Sequence, residues 1–363
     1  MEKIKLSLKK QIDNSYGIII DRNLLAKIPS DLKKNNIGNR YLIITDSNTK
    51  KLFGNKLLAL MNKTSLKTDM LSFKAGEQSK GLSTFTELLQ KTHNLGLDRN
   101  SAIIALGGGV VGDIAGFVAA AYMRGIAYIQ VPTSLLAMVD SSIGGKVAVD
   151  LPTGKNIVGA FYQPKKVYID VSLLENLPKK ELINGLSEII KHAIIRDAEL
   201  FKEIRNNLGK IMEKDQQALI KIIKRNCEIK AEIVEKDEKE AGLRKLVNYG
   251  HTVGHALETL THYKKYSHGE AIAIGMAVAG SISNKLGMLS KEELVSQNSL
   301  LRKAGLPIKV PNMPLNKIIS ELKKDKKTVG GKIEFVLLEK IGKASYGINV
   351  PNSIIEQALE ENR

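Results

Sequence analysis

Tryptophan is absent from the 363 residues, and aromatic residues make up only 5% of the chain. Stacking platforms for single-stranded nucleic acid are therefore scarce. A single cysteine, Cys227, excludes an internal disulfide framework and fits a reducing compartment. It lies in a Lys- and Glu-rich helical stretch and reads as inert. No long hydrophobic run is present. The longest nearly apolar stretch, Ala271 to Gly280, is about half a membrane span and reads as a buried helix. Met1 to Lys10 is charged, and the apolar run Gly17 to Ile20 is too short for a signal peptide. These absences point to a cytoplasmic protein without membrane partners.

Charge is plentiful but unequal. Fifty-five Lys and Arg against 38 Asp and Glu give a formal net charge of +17. Such an excess raises a nucleic-acid hypothesis. The lysines run from end to end with no basic tail, so a lysine-rich surface and an anionic small substrate are the preferred readings. At 43% hydrophobic residues, the chain is long enough for two domains.

Strand and helix signals alternate in the first half. Arg40 to Thr45, Ser101 to Leu106, Ile126 to Val131 and Val167 to Ile169 read as strands. Leu82 to Leu95 and Asp113 to Met123 read as helices between them. This alternation predicts a parallel sheet covered on both faces. Beyond Asp170 the periodicity is helical over Glu181 to Asn206, Gln216 to Glu235, Leu246 to Leu260 and Gly269 to Leu286, with a strand signal only near Ile333 to Leu338. The expected architecture is an α/β N-terminal domain with a Rossmann-like parallel sheet, residues 1–172, and an all-α C-terminal domain, residues 173–363. Ligand sites favour the cleft between such halves.

Four of the six histidines, His251, His255, His262 and His268, fall within one short stretch. His251 and His255 are four apart and share a helical face. Gathered imidazoles suit a zinc-type ion, which needs about three protein ligands for catalysis. Glu188, on an apolar helical face, is a possible oxygen ligand. The competing reading is a helix salt bridge with Lys191.

Leu106 is followed by Gly107-Gly108-Gly109-Val110-Val111-Gly112-Asp113 and a helix. The spacing Gly-x-Gly-x-x-Gly lets a pyrophosphate approach the backbone at a helix N-terminus, although tight strand-to-helix turns use glycine anyway. No carboxylate follows at the usual interval, where the chain reads Ala127-Tyr128-Ile129-Gln130-Val131. Asp46, ending an earlier strand, is the better ribose ligand. Gly144-Gly145-Lys146 and Gly154-Lys155-Asn156 suit phosphate or carboxylate contacts, or are simply two exposed turns; neither is a P-loop.

Several long motifs then stand in order: Gly107 to Lys146, G-K-N-I-V-G-A-F-Y-Q-P (154–164), G-L-S-E-I-I-K (185–191), N-Y-G-H-T-V-G-H-A-L-E (248–258) and H-G-E-A-I-A-I-G-M (268–276). Together they resemble the 3-dehydroquinate synthase family through nearly the whole chain. The resemblance implies NAD and a zinc or cobalt ion as cofactors. It implies metal ligands Glu188, His251 and His268, and a catalytic His255. His262 receives no role. Substrate contacts fall on Arg124, Lys146, Asn156, Lys191, Lys230, Arg244, Asn248 and one of Lys326 and Lys327, with Lys327 preferred. NAD contacts fall on Asp46, Glu77, Lys80, Gly108, Gly109, Val110, Asp113, Thr133, Ser134, Asp140, Lys146, Lys155, Leu177 and Glu181. Ser134 stands where the family often has threonine, and His192 where it often has an aromatic residue. The implied reaction eliminates phosphate from 3-deoxy-D-arabino-heptulosonate 7-phosphate and closes the carbocycle of 3-dehydroquinate, with NAD consumed and restored. Related sugar-phosphate cyclases and metal-dependent polyol dehydrogenases are the alternatives. A homodimer through the α/β half is expected, and no nucleic-acid partner.

Overall fold

The computed structural model describes residues 13–324 and 333–363. Ten strands occur among them: β1 (Gly17–Asp21), β2 (Tyr41–Asp46), β3 (Thr68–Phe73), β4 (Ala102–Gly107), β5 (Ala127–Pro132), β6 (Lys146–Leu151), β7 (Gly154–Phe161), β8 (Lys166–Asp170), β9 (Glu334–Lys340) and β10 (Lys343–Asn349). Six form one sheet in the order β1-β8-β5-β4-β2-β3, and every pairing in it is parallel. The central strands read Y-L-I-I-T-D and A-I-I-A-L-G, and nearly every residue in them is buried. Both faces are covered, as apolar runs without alternation require.

From β2 the chain steps outward to β3, then returns past β2 to β4. The order of connection reverses between β2 and β4. Ligands of open α/β sheets bind at the carboxyl ends of strands at such a switch point. Asp46 ends β2 and Gly107 ends β4, so the two sequence candidates flank that crevice. The carboxylate missing from β5 thus has its counterpart on the other neighbour of β4.

The second half is built on long helices, Lys179–Arg196, Ala198–Met212, Gln216–Lys236, His251–Leu260 and His268–Lys285. The continuous helix expected over Glu181 to Asn206 is broken at Asp197, whose extended backbone and carboxylate cap the following helix at Glu199 and Leu200 N–H. The all-α expectation also needs amending. The Ile333 to Leu338 signal belongs to an antiparallel β9–β10 hairpin, and Leu338 N–H donates to Ser283 Oγ at 3.0 Å. The apolar stretch Ala271 to Gly280 lies in a helix buried all round. No described helix is long and apolar enough to cross a membrane. One apolar core runs from the β1 side of the sheet through the helices, so the halves share a packed boundary. Cys227 lies in it, and burial pushes its thiol up to about 12.

Candidate active site

Two helices begin on a histidine. His251 opens its helix after Gly250, whose φ of +79° favours glycine. His268 opens the next, where Ser267 and Glu270 form a capping box. Each helix presents its positive end at this point, which suits the buried Glu188 carboxylate that lies against both rings.

Glu188 projects from the Lys179–Arg196 helix into the same space and is fully buried. Its Oε1 lies 3.6 Å from His251 Nε2 and 3.4 Å from His268 Nε2. The Lys191 ammonium sits against Oε2. Neither carboxylate oxygen has a well-formed hydrogen bond, a costly arrangement for a buried anion. One ligand atom from each of Glu188, His251 and His268 falls within 4.8 Å of the others. The remaining ring nitrogens are engaged behind them: His251 Nδ1 faces Tyr249 O at 3.2 Å, and His268 Nδ1 faces Glu258 Oε1 at 3.3 Å. Such outer contacts orient metal-binding imidazoles.

The electrostatics agree with a cation at this point. Burial alone would raise the Glu188 pKa, but Lys191 and the two histidines hold it well below the carboxylate range. Burial and Lys191 hold His251 neutral. Burial also opposes charge on His268, yet Glu188 and Glu258 outweigh it and push that ring up to about 10. One carboxylate and two imidazoles with their ligand atoms this close are a donor set that fits a zinc-type ion. The sequence left Glu188 open between ligand and salt bridge; the structure sets one of its oxygens against Lys191 and the other beside His251 and His268.

His255 lies one turn along from His251 and is exposed, its ring 5.2 Å from that of His251 and 6.3 Å from that of His268. It stands at the exposed edge of the triad. His262 lies in an exposed turn with φ of +52°, outside every described group of possible metal ligands.

Cations line the rest of the cleft, each against an acceptor. Lys230 is buried against Asp140, which it and its neighbours hold down to about 2 despite burial. Arg244 is buried and donates to the Gly144 and Glu238 carbonyls. Gly144 is required there by its φ of +100°, and a Cβ would also stand 2.4 Å from an Arg244 nitrogen. Lys146 contacts the Glu240 carboxylate, whose other oxygen accepts from Asn248 at 2.9 Å. Glu240 was not singled out in the sequence. Its place between two expected substrate contacts, with φ of +60°, marks it as part of the site.

The Gly-Lys segments are not two isolated turns. Gly144 and Gly145 form the bend that leads into β6, and Lys146, Lys155 and Asn156 lie on the β6–β7 hairpin, tied to the glycine-turn helix through Lys80, Asn156 and Asp113. Lys80 is buried between Asp113 and Asn156. Burial pushes Asp113 up to about 6, against the pull of Lys80. Lys155 pairs with Glu77 at 2.7 Å and lies over the Tyr263 ring. Gly108 faces Ser134 and Gly109 faces Ser141, with 3.4 and 3.2 Å from an added Cβ to the hydroxyls, and Val110 follows in the same helix start. Thr133 N–H donates to Gly107 O.

Other expected contacts are less directly placed. The Asp46 carboxylate already accepts from Asn48 N–H, Thr49 N–H and the Thr49 hydroxyl. The Leu177 carbonyl accepts from Lys214, and Glu181 from Asn184. The Arg124 side chain is exposed at φ of +68° and makes no hydrogen bond or ion pair with a described residue. Lys326 and Lys327 lie outside the described residues.

The N-terminal 3-dehydroquinate synthase model matches residues 70–184, and the C-terminal model matches residues 185–328. The 3-dehydroquinate synthase of Thermodesulfovibrio yellowstonii is 45% identical over 362 residues, covering 99% of this chain and all of that protein. That of Thermoanaerobacter pseudethanolicus is 46% identical, covering 95% and 96%. Among solved structures, 2-epi-5-epi-valiolone synthase from Streptomyces hygroscopicus, with NAD+ and Zn2+ bound, superposes with a TM-score of 0.90 at 28% identity, covering 98% of each chain. A 2-deoxy-scyllo-inosose synthase complexed with carbaglucose-6-phosphate, NAD+ and Co2+ gives 0.87 at 29% identity, covering 96% and 97%. The NADH-dependent butanol dehydrogenase A of Thermotoga maritima, at 16% identity and a TM-score of 0.68 with 98% of each chain covered, shares the fold. The chain belongs to the 3-dehydroquinate synthase family.

Proposed function

We infer that this chain converts 3-deoxy-D-arabino-heptulosonate 7-phosphate to 3-dehydroquinate and phosphate. The observation that carries the reading is the Glu188–His251–His268 donor set, with His255 at its exposed edge, Lys191 against Glu188, and Lys230 and Arg244 buried nearby on Asp140 and Gly144. An alcohol that is also a carboxylate and a phosphate needs both features in one cleft.

Glu188, His251 and His268 would hold a zinc or cobalt ion, and the turn at Gly108 and Gly109 would hold NAD. When bound, these groups supply Lewis acidity toward a substrate alcohol and a reversible hydride acceptor. Lys191 sits against Glu188 and positions the substrate at the triad. Lys230, Arg244, Lys146, Asn248 and Asn156 are suited to its two anionic groups, with Glu240 and Asp140 holding their donors in place. Exposed His255 is suited to move protons at the triad's edge. Lys80, Asp113, Glu77, Lys155, Thr133, Ser134 and Asp46 are assigned to the cofactor side, with Leu177 and Glu181 at its border.

Location in the cytoplasm and a homodimer are part of this reading. Exposed Met123, Ile157 and Phe161 beside Arg124 and on β7 support a dimer surface on the α/β half. A different sugar-phosphate cyclase is the second reading, supported by the nearly complete superposition on two such enzymes. The test is to incubate the protein with the heptulosonate phosphate, zinc and catalytic NAD, then measure phosphate, NADH and carbocycle together. Stoichiometric phosphate with 3-dehydroquinate and no net NADH is expected. Accumulating NADH without phosphate would overturn the reading in favour of a dehydrogenase; phosphate released with a different carbocycle would favour the second reading.

A further inference from the structure

His192 follows Lys191 on the Lys179–Arg196 helix and is wholly buried. Its Nδ1 lies 2.8 Å from Asn226 Oδ1. The Asn226 amide nitrogen donates in turn to the Val139 carbonyl at 2.7 Å. That bond fixes which end of the amide faces the ring. An amide oxygen only accepts, so His192 Nδ1 must carry the proton. The ring's other nitrogen is then a bare acceptor. It is buried without a hydrogen-bond partner and lies 3.9 Å from Asp140 Oδ1.

Three elements meet at this pair. The helix of His192 carries Glu188 and Lys191. The Gln216–Lys236 helix of Asn226 carries Lys230. The turn containing Val139, from the α/β half, carries Asp140. The two hydrogen bonds therefore span the boundary between the halves and set three site-bearing segments at fixed distances.

We propose that His192 is a positioning residue: through Asn226 it fixes Lys191, Lys230 and Asp140 relative to one another, and so sets affinity for the anionic substrate. Neutrality is part of the design. Two ammonium groups, Lys191 and Lys230, already share this space with Asp140 and Glu188. A third positive charge would compete with Lys230 for Asp140. Burial and the two lysines hold the ring down to about 4, so it supplies shape and one donor without charge.

The inference rests on the reaction proposed above, and its test separates the two. Asparagine places its side-chain nitrogen where histidine has Nδ1; phenylalanine fills the space with no donor. H192F is expected to raise KM for the heptulosonate phosphate, and Kd for a non-reactive phosphonate analogue, by about tenfold, the scale of one lost buried hydrogen bond. Zinc content should stay at its wild-type value, with kcat changed less than KM. H192N should recover affinity to within about threefold of wild type. H192F with wild-type affinity, or H192N as impaired as H192F, would overturn the proposal. A wild-type chain that releases no phosphate sinks the reaction instead. The ring is then judged by nitrogen NMR of histidine-labelled protein: an Nδ1–H tautomer supports the assignment, and an Nε2–H tautomer refutes it.

Discussion

Gly275 lies inside the His268–Lys285 helix, where that helix crosses His251–Leu260. A Cβ added at Gly275 would stand 1.9 Å from Gly250 O, 2.8 Å from Gly250 C and 3.0 Å from Gly254 N. Every one of these neighbours is backbone, so no flexible side chain can swing aside. Ordinary contact begins at 3.4 Å, so in Gly275→Ala the crossing must open by roughly 1.5 Å. Gly250 directly precedes His251, and His268 opens the helix that would be pushed away. The displacement is thus delivered to two of the three candidate metal ligands. Ligand distances in working metal sites hold to about 0.2 Å. Overpacking of this kind costs about 3 kcal/mol, the upper end of the usual range, because the clash is backbone against backbone. The expected result is a Tm lowered by about 5 °C and zinc affinity weakened by about 100-fold. Calorimetry measures the first, and competition with a chromogenic zinc chelator measures the second. Gly209→Ala is the control. Nothing lies within 4 Å of a Cβ there, and alanine suits a helix interior, so stability should hold or rise. A Gly275→Ala protein with wild-type zinc affinity and wild-type melting would refute the argument that this contact sets the ligand spacing.

Three further outcomes follow from the site. His268→Ala should lose stoichiometric zinc, and in the wild type zinc binding near pH 8 should release the proton that Glu188 and Glu258 hold on His268; titration in buffers of different ionisation heat measures this, and the absence of a released proton contradicts the assignment. Lys191→Ala and Arg244→Ala should each weaken the phosphonate analogue at least tenfold, while NAD affinity changes little; calorimetric titration with each ligand decides. His192 binds a proton near pH 4 when folded, but from 6.5 when unfolded, so the unfolded state takes up more protons between those values and stability must fall as pH drops through that window. The loss is at most about 1.4 kcal/mol per pH unit. Denaturation midpoints at pH 7 and pH 5, compared with H192N, would show a smaller drop in the variant.

The central strands were legible because burial on both faces makes them continuous apolar runs, as in Y-L-I-I-T. Strand β3, T-D-M-L-S-F, is a half-buried edge with polar residues interleaved, and it gave no such run. Strand β1 was visible only as a short apolar segment, since its partner β8 is remote in sequence. The β6–β7 hairpin was masked by its glycines and lysines, which read as turns; only pairing, Lys146 against Phe161 and Leu151 against Gly154, shows the two strands. The histidine cluster announced a metal. Spacing alone could not choose between His255 and Glu188, because Glu188 reaches the triad from a different helix. Glu240 and Glu258 escaped notice for a related reason. Each is one carboxylate in a chain with many, and only the folded arrangement sets it against Lys146 and Asn248, or against His268.

The pairing of β1 with β8 bears on how this protein is made. The first strand of the sheet aligns Gly17 with Lys166 and Asp21 with Asp170, and Leu25 N–H donates to the Asp170 carboxylate across 145 positions of chain. A ribosome adding about 5–20 residues per second needs roughly ten seconds or more to supply that partner. Through that interval the nascent chain carries G-I-I-I-D with no neighbour, and the inner strands can assemble while one flank of β5 stays bare. Translation of β8 fills both gaps in one step, pairing with β5 on one side and β1 on the other. The sheet therefore closes only after the whole α/β half has been synthesised.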